Sequence, residues 1–546
     1  MDWMTRGAVL AIAFLTMAGC GGGGGGTLGG DGSALGGGSG GGPPGGSLGG
    51  GSKDYTPGIF AQSLTLANQC QSPRAGTSDR SGSTFTENMF LRSWTNETYL
   101  WYSEVADTNP GSSSTETYFQ QLKTLQNTPS GRPKDRFHFT YSTAEWEQLS
   151  EAGVEVGYGA DWLIVSGLPP RKVIVAYTEP GSPANVQGVP RGAEILFADG
   201  VDVVNAGSSS AVDQINAALF PATAGESHSF EIRDTLGNRR TVPLTSVEVT
   251  HTPVLISKTI DQSGERVGYL LFNDHIATAE TQLISAINTL RNAAVSDLIL
   301  DLRYNGGGYL DIASELAYMI AGPTQIAGRP FERLVFNSKF PSTNPVTGEA
   351  LTPTPFHSTA RGFPSPNRTA PGTPLPTLNL QRVYVITSAN TCSASESIIN
   401  SLRGVGVDVY QIGSTTCGKP YGFYPQDNCG TTYFSIQFEG RNAADFGNYP
   451  DGFSPENASD QGSVELDGCS VADDFTKPLG DVTERRLAAA LSFRASGNVS
   501  CPAPTGFAPG TQLSSKPALN STEGVMVKSP ARENRIVERP RTGIAF

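Results

Sequence analysis

Residues 382–402 read RVYVITSANTCSASESIINSL and contain a strand, a loop and a helix in that order. RVYVIT is apolar almost throughout, which is typical of a strand buried on both faces. The apolar residues of SIINSL recur at the spacing of one helix face. Ser393 lies at the turn between them, where SASE also fits a capping box that starts a helix. The stretch predicts a β/α unit and leaves two roles for Ser393, a helix cap or a nucleophile.

The same unit recurs on both sides of this stretch. Three further segments are predicted strands: GYLLFND (268–274), DLILDLR (297–303) and VDVYQIG (407–413). Two are predicted helices: TAETQLISAINTLRNA (278–293) and YLDIASELAYMIAG (309–322). The alternation over about 252–500 predicts an α/β layer with parallel strands. A Pro/Ser/Thr-rich excursion, roughly 329–379, interrupts it and is expected to be a surface loop.

Three loops of this layer are expected to lie together, because parallel strands end at the same edge of a sheet. The first contains NGGG at 305–308, whose amides can turn toward an oxyanion. Tyr309 and Leu310 follow it, instead of the Lys and Ser/Thr of a phosphate loop, so a nucleotide site is not expected. In the second loop, the amide of Ala394 at a helix start would bind developing negative charge.

The third loop supplies a candidate base, Lys419, 26 residues after Ser393. That spacing accommodates a helix and a return strand. A serine nucleophile needs a neighbouring base, and a buried lysine with a lowered pKa can act as one. A lysine in a loop is more often solvated, so the assignment depends on the three loops together.

Histidine offers little support for a Ser/His/Asp triad. The five histidines lie outside the three loops, at positions 138, 228, 251, 275 and 357. His275 in FNDHIA could approach the sheet edge, but a structural or surface role is favoured.

Composition limits the partners. The formal charge is −13 and no basic block occurs, which argues against a nucleic-acid partner. No CxxC or Cys/His cluster has zinc spacing, so neither a metal nor another cofactor is predicted.

The N-terminus is predicted to be a targeting segment. Arg6 precedes an apolar run from Ala8 to Met17 that is too short to span a bilayer and fits a signal-peptide core. The small residues before Cys20 resemble a bacterial lipobox, which implies cleavage after residue 19 and lipid attachment to Cys20. An ordinary secretory signal is the alternative, because Met17 departs from the usual leucine. The Gly-rich residues 20–52 would then form a flexible tether.

Six cysteines remain apart from Cys20, and an even number in an exported chain predicts disulfides. Six cysteines allow 15 pairings. Cys417 and Cys429 are closest in sequence and are expected to close a short loop. A disulfide at Cys392 and Cys417 would rigidify the site.

Two further domains are expected before the α/β layer, and a tail is expected after it. TENMFLRSWTNETYLWYSEV (86–105) has an aromatic stripe at helical spacing, so residues 53–150 are predicted to form a helical domain ending near DRFHFTYS, without assigned chemistry. Residues 151–249 are predicted as short strands with Gly/Pro turns. Residues 501–546 are expected to be a disordered tail.

Residues 151–249 resemble a PDZ domain of the bacterial protease type. The resemblance is carried by GSPA at 181–184 and by GVPRGAEI, in which Gly192 precedes the turn into Ile195. It implies that an extended peptide adds to a sheet edge beside a carboxylate-binding loop of Gly157, Tyr158, Gly159 and Ala160. The alternative is a structural β domain whose glycines serve turns.

DLRYNGGG, TCSASE and GSTTCGKP, read in order, resemble the S41 serine peptidases, the carboxyl-terminal processing proteases, over roughly residues 85–495. The resemblance implies a multi-domain α/β protein with a β/α layered, ClpP/crotonase-like catalytic core at 250–500. It implies Ser393 as nucleophile and Lys419 as general base. The oxyanion donors would be the amides of Ala394 and Gly307.

One departure from the family concerns the base. Many members have a glutamine four residues after the lysine, and Phe423 stands there, with Gln426 or Gln437 as possible substitutes. Within SVADDFTKPLGDVTERRLAAAL, Asp473 and Asp474 are expected to be structural.

The expected function is an exported, lipid-anchored serine endopeptidase of the bacterial cell envelope, facing the periplasm or the surface. It would cleave protein or peptide substrates with unstructured C-termini. A peptide-binding or scaffolding lipoprotein that has lost turnover is the alternative, and hydrolysis of a small ester is a third.

Overall fold

In a computed structural model of the chain, the described residues are 55–147, 153–365 and 367–504, with the backbone of 525–526 and 535–536. The predicted signal peptide (1–19), the lipidation site Cys20 and the tether (20–52) lie outside the described residues. So does most of the predicted disordered tail. No helix in the described part of the chain is long and apolar enough to cross a bilayer.

Residues 55–147 are built around one helix. Its N-cap Ser83 and Thr86 form a capping box, and Phe90 stacks on Trp94 one turn later, so both a start signal and an apolar stripe favour this helix. It ends at Thr98, so the predicted helical stripe does not continue to Tyr102. The elements are α1 (Ser63–Leu66), β1 (Gln69–Cys70), β2 (Arg80–Ser81), α2 (Thr84–Thr98), α3 (Thr115–Gln121), β3 (Phe139–Ser142) and α4 (Thr143–Glu147).

Residues 154–250 form a β-rich unit. α6 follows its N-cap Ser208, and its buried apolar residues share one core cluster with Trp162 and Ile164 of the sheet. The sheet order is β10-β9-β7-β6-β5. The elements are β4 (Val154–Gly157), β5 (Ala160–Ser166), β6 (Lys172–Thr178), α5 (Pro183–Val186), β7 (Glu194–Ala198), β8 (Val201–Asp202), α6 (Ser209–Leu219), β9 (Ser227–Arg233), β10 (Arg239–Thr245) and β11 (Val247–Thr250).

The predicted α/β layer follows, and its parallel strands are confirmed. The six-stranded sheet has the order β12-β13-β14-β17-β18-β25, and every neighbouring pair after the antiparallel β12–β13 is parallel. Its elements are β12 (Val254–Gln262), β13 (Glu265–Phe272), α7 (Ala279–Asn292), β14 (Asp297–Asp301), β15 (Gly308–Tyr309), α8 (Leu310–Gln325), β16 (Arg333–Val335), β17 (Arg382–Thr387), α9 (Ala394–Gly404) and β18 (Asp408–Gly413).

The last part of the chain closes the layer. Its elements are β19 (Tyr421–Gly422), β20 (Gln426–Asn428), β21 (Thr431–Phe434), β22 (Phe438–Arg441), β23 (Phe453–Pro455), β24 (Val464–Leu466), β25 (Gly468–Ser470), α10 (Arg485–Ala495), β26 (Val525–Met526) and β27 (Arg535–Ile536). β21 pairs with β3, so the N-terminal and C-terminal parts share a sheet.

Strand alternation divides the core into two sides of the large sheet. Leu270, Leu298 and Leu300 pack against α7, α8 and α9, whereas Tyr269 and Ile299 pack against α10. A strand covered on both faces needs apolar side chains at nearly every position, which explains the continuous apolar sequences of β13 and β14.

The excursion at 329–379 is not the surface loop that its composition predicts. Phe331, Phe356 and Phe363 are buried in the main core. Glu280 and Glu315 accept hydrogen bonds from its backbone, Glu280 from Gly362 and Phe363 and Glu315 from Arg361. These aromatic residues lack a helical or strand period, so the sequence pattern does not reveal their burial.

Glu315 is expected to make stability pH-dependent. Burial raises its pKa to about 10, and the charge of Glu280 adds to this. The folded state therefore binds a proton that the unfolded state releases above the ordinary carboxyl pKa, so the free energy of unfolding falls as pH rises, by up to about 1.4 kcal/mol per unit. Between pH 6 and pH 8 the free energy of unfolding of the wild type should fall by up to about 2.7 kcal/mol from this group, and that of Glu315→Gln should not, as measured by urea unfolding. The exposed Glu349→Gln is the control, and equal slopes for the wild type and Glu315→Gln would contradict the prediction.

All six described cysteines are paired, as the even count predicts, but the expected Cys417–Cys429 loop is wrong. The pairs are Cys70–Cys429, Cys392–Cys417 and Cys469–Cys501. Cys429 lies on the hairpin that pairs with β3, which brings it to Cys70 rather than to its sequence neighbour.

Candidate active site

The three predicted loops meet at one edge of the sheet. They follow β14, β17 and β18, which are neighbouring parallel strands. The carbonyl of Asn305 in the first loop accepts the amide of Cys392 in the second, at 3.1 Å. The amide of Cys417 in the third loop donates to the carbonyl of Thr391, at 3.0 Å. The juxtaposition predicted from the sequence is confirmed.

Ser393 lies at the turn between β17 and α9 in an uncommon backbone conformation. Its φ is 58° and its ψ is −112°, and the side chain is fully buried. A left-handed φ in a non-glycine residue costs about 1–3 kcal/mol and is characteristic of functional sites. The Ser393 Oγ has no hydrogen-bond partner among the described residues. Its hydroxyl is therefore not consumed by capping the helix.

Glu396 joins the serine segment to the lysine segment. Its Oε2 accepts the amides of Ser393 and Lys419, at 2.9 and 2.8 Å. Its Oε1 accepts the amide of Gly418 and the hydroxyl of Thr416, at 2.8 and 2.6 Å. Burial raises the pKa of Glu396, and these hydrogen bonds oppose the rise. One carboxylate thus holds both predicted catalytic residues by their backbones.

Lys419 is fully buried, so the solvated alternative for this residue is wrong. Its Nζ lies 4.6 Å from the ring centroid of Phe137 and 4.6 Å from that of Phe423. Phe423 occupies the position at which the family resemblance expects glutamine. Gln437 instead accepts the amide of Tyr424 at 2.8 Å, which holds the chain just beyond Phe423. Gln426 donates to the carbonyl of Asp427.

The residues around DRFHFTYS contribute to the site, which sequence reasoning missed. Arg136 donates to the carbonyl of Cys417 at 2.6 Å, and Arg132 donates to the same oxygen at 3.3 Å. Burial and the charge of Arg132 lower the pKa of Arg136 to about 10. In the sequence, the one signal that could have indicated this role is the pair Arg132 and Arg136 close to Phe137. These residues cover the loop that carries Lys419.

The NGGG turn has the backbone that its glycines predict. Gly307 and Gly308 have φ values of 108° and 129°, and a Cβ on Gly308 would lie 2.4 Å from the carbonyl of His275. The amide of Gly307 donates to Asn305 Oδ1 at 3.0 Å in this structure. His275 also contacts that oxygen, through Nδ1 at 2.9 Å, and is buried. Ala394 is the first residue of α9, where an amide has no partner within the helix.

The predicted peptide-binding loop lies at the start of β5. Gly159 has a φ of 67°, and a Cβ there would lie 2.2 Å from the Cβ of Ser182, so glycine is required. Tyr158 is buried and donates to the carbonyl of Ala218, so its side chain belongs to the core. Gly157 ends β4, and Ala160 begins β5.

A buried ion network connects this β unit to the NGGG loop. Arg303 pairs with Asp301, Glu484 and Asp473, at 2.8, 2.9 and 2.7 Å. Asp473 also pairs with Arg191 of the β unit at 2.7 Å. Burial alone would raise the pKa of Asp473. The charges of Arg191 and Arg303 outweigh burial and hold this pKa well below its usual range. Asp473 therefore has the contacts of a structural group.

Asp474 has structural contacts as well, because its Oδ1 accepts the amide of Thr476 at 3.0 Å.

Two groups of potential metal ligands occur among the described residues: Cys70, Glu87 and Cys429, and Cys392, Glu396 and Cys417. In each group the two sulfurs form a disulfide, which leaves no thiolate to bind an ion.

The Cys392–Cys417 disulfide joins the residue before Ser393 to a residue two positions before Lys419. Replacing both cysteines with alanine is expected to lower kcat about tenfold, because the two segments lose their covalent link, and to lower the free energy of unfolding by about 3 kcal/mol. The matched control is Cys469→Ala with Cys501→Ala, which opens a similar 32-residue separation away from Ser393 and Lys419. This control should lower the free energy of unfolding by a similar amount and leave kcat unchanged. Equal kcat values for the two double variants would contradict the prediction.

Comparison with known proteins finds similarity to peptidases of one family. Residues 266–422 match the profile of peptidase family S41. A carboxyl-terminal-processing protease from Picosynechococcus sp. is 31% identical over 176 residues, which are 32% of this chain and 40% of that protein. The match thus spans two-fifths of that relative's length. A putative S41 protease from Bacteroides fragilis has a similar fold, with a TM-score of 0.55, 22% identity and coverage of 75% of this chain and 98% of that one.

Proposed function

We propose, from the peptidase S41 domain that this chain carries, that the protein is a serine endopeptidase of the carboxyl-terminal processing type. Its substrates would be unfolded proteins or unstructured C-terminal segments. The observation that supports this most directly is the Glu396 carboxylate, which accepts the amides of both Ser393 and Lys419. A shared anchor of this kind keeps a nucleophile and its base in a fixed relation.

In the proposed reaction, Ser393 Oγ attacks the carbonyl carbon of the scissile peptide bond and its proton passes to neutral Lys419 Nζ. The carbonyl oxygen becomes an oxyanion, stabilised by the amides of Ala394 and Gly307. Lys419 then gives the proton to the leaving nitrogen, and an acyl-enzyme remains on Ser393. Water then attacks the ester carbon while Lys419 takes its proton. The bond to Ser393 Oγ breaks, Lys419 returns the proton to that oxygen, and the new C-terminus is released.

The Gly307 amide must leave Asn305 Oδ1 before it can serve the oxyanion, because one N–H makes one strong hydrogen bond. In the proposed cycle, substrate binding would break the hydrogen bond between the Gly307 amide and Asn305 Oδ1, and the amide would then bind the oxyanion.

Substrate capture is assigned to the β unit as a PDZ-like domain. The edge of β5 would receive the substrate as an added strand, and the backbone of Gly157, Tyr158, Gly159 and Ala160 would bind its terminal carboxylate. The ion pair of Arg191 with Asp473 supports a fixed placement of this unit beside the NGGG loop.

The proposed location is the bacterial cell envelope, with a lipid anchor at Cys20. Three disulfides among the described residues support an oxidising compartment. The apolar run from Ala8 to Met17 supports export.

The test is cleavage of an unfolded protein by the purified chain, with new termini identified by mass spectrometry and Ser393→Ala as the control for contaminating proteases. Matched peptides ending in a free carboxylate or in an amide test capture. The free carboxylate is expected to lower KM about tenfold, since a hydrogen bond to a charged group contributes about 1.5–3 kcal/mol. Binding without cleavage would instead favour the peptide-binding scaffold, and equal cleavage by Ser393→Ala would refute the mechanism.

A further inference from the structure

Two short strands near the C-terminus pair with surfaces far back in the sequence. In β26, Val525 and Met526 pair antiparallel with Ile164 and Leu163 of β5. In β27, Arg535 and Ile536 pair in parallel with Gly308 and Tyr309 of β15. The segment 525–536 is therefore held by its backbone at both ends.

The first of these surfaces is an edge that the β unit otherwise leaves open. β5 is the last strand of the order β10-β9-β7-β6-β5, and β26 extends that order by one strand. The antiparallel register takes the tail from Ile164 toward Leu163, in the direction of the loop that begins at Gly157. Strand addition of this kind is how an extended peptide binds to a sheet edge.

The second surface is the end of the NGGG turn. β15 begins at Gly308, the residue directly after Gly307. Ser393, on the neighbouring loop, is fully buried in this structure, so a peptide substrate has no access to it in this state.

We propose that the C-terminal tail of this chain binds in cis along β5 and the NGGG turn, as a pseudo-substrate that competes with external peptides. This rests on the proposed function, because it assigns to the tail the same two surfaces that the function assigns to the substrate. Long-range attraction favours association of the tail with the rest of the chain, since residues 516–546 carry six Lys/Arg against three Asp/Glu in a chain of net −13.

A tail attached to its own binding surface needs little intrinsic affinity. A tether of this type gives an effective concentration on the order of millimolar, so even a weakly binding peptide occupies most molecules. Backbone groups make both pairings, and proline removes a backbone donor from such a pairing. Proline at both Val525 and Met526 is therefore the disruptive change.

Binding is measured first, in a background that cannot cleave. A fluorescent peptide of residues 519–546 is titrated by anisotropy against full-length Ser393→Ala and against the same chain with Val525→Pro and Met526→Pro. The tail prolines are expected to tighten apparent binding about tenfold or more, because the competing cis segment is released. The matched control places prolines at Ser514 and Ser515 and should behave as Ser393→Ala alone. Equal affinity with and without the Val525/Met526 prolines, or binding to neither chain, would overturn the proposal.

Activity is measured second, with Ser393 intact and with the mass of each preparation verified to include the tail. Val525→Pro with Met526→Pro should raise the initial rate on an unfolded protein about tenfold relative to the Ser514/Ser515 control. An unchanged rate in cleaving preparations would overturn the competition. If no preparation cleaves while the binding result holds, the proposed peptidase function fails and cis binding of the tail stands.

Discussion

Replacing Ser393 with alanine is expected to lower kcat/KM on an unfolded protein by about 10⁴-fold or more, because the reaction loses its nucleophilic atom. The fold should tolerate the change. Ser393 Oγ is buried without a hydrogen-bond partner among the described residues, so its removal breaks no structural bond. Alanine meets the same backbone strain at φ 58° as serine does. The free energy of unfolding, measured with urea, is therefore expected to change by no more than about 1 kcal/mol.

The matched control is Ser401→Ala on the same helix. Its hydroxyl is also buried and also lacks a hydrogen-bond partner within the described ranges, but it lies two turns farther along α9. Ser401→Ala should retain full activity. Lys419→Met keeps an unbranched side chain between the rings of Phe137 and Phe423. Its kcat/KM should be lowered as strongly as that of Ser393→Ala. Comparable losses in Ser401→Ala and Ser393→Ala would show that repacking of α9, and not nucleophile loss, lowers the rate.

The sheet and its three loops were predictable from the sequence because their signals are local. Apolar strands such as DLILDLR are continuous, the helices have clear faces, and parallel pairing fixes which ends of the strands meet. The register of β14, β17 and β18 then brings NGGG, Ser393 and Lys419 to one edge without further information.

The surroundings of Lys419 were not predictable in the same way. Arg136 and Phe137 come from a segment about 280 residues earlier, and nothing in DRFHFTYS specifies the loop that it covers. The same limit applied to the disulfides, since 15 pairings fit six cysteines and only the fold selects among them. Contacts across long sequence separations are chosen by tertiary packing, which leaves no periodic signature.

The two roles that the sequence left open for Ser393 are separated by its backbone. The positive φ accompanies a serine hydroxyl without a partner, while the Glu396 side of the capping box remains in place through the Ser393 amide. Half of the motif therefore stabilises the helix start, and the other half is available for chemistry. Glu396, the glutamate of the predicted capping box, has the wider role of linking two loops.

Glu396→Ala is expected to lower both stability and activity substantially. The change leaves the amides of Ser393, Gly418 and Lys419 buried without their acceptor, and each unmet buried group costs about 1–3 kcal/mol. With partial relaxation, the free energy of unfolding should fall by about 3–5 kcal/mol, measured by urea unfolding. The rate constant kcat should fall about 10²-fold or more, because Ser393 and Lys419 lose their shared anchor.

Glu396→Gln separates the positioning effect from the stability effect. Its carboxamide preserves the size of the side chain and one acceptor oxygen, but it places an NH₂ donor against amide donors of Ser393 and Lys419 or of Gly418. Stability should recover partly, whereas kcat should remain about tenfold or more below the wild type with KM little changed, since the carboxylate touches no substrate. A variant with full kcat would mean that Ser393 and Lys419 keep their positions without the carboxylate, and the linking role of Glu396 would then be wrong. A selective rise in KM would place Glu396 in substrate binding instead.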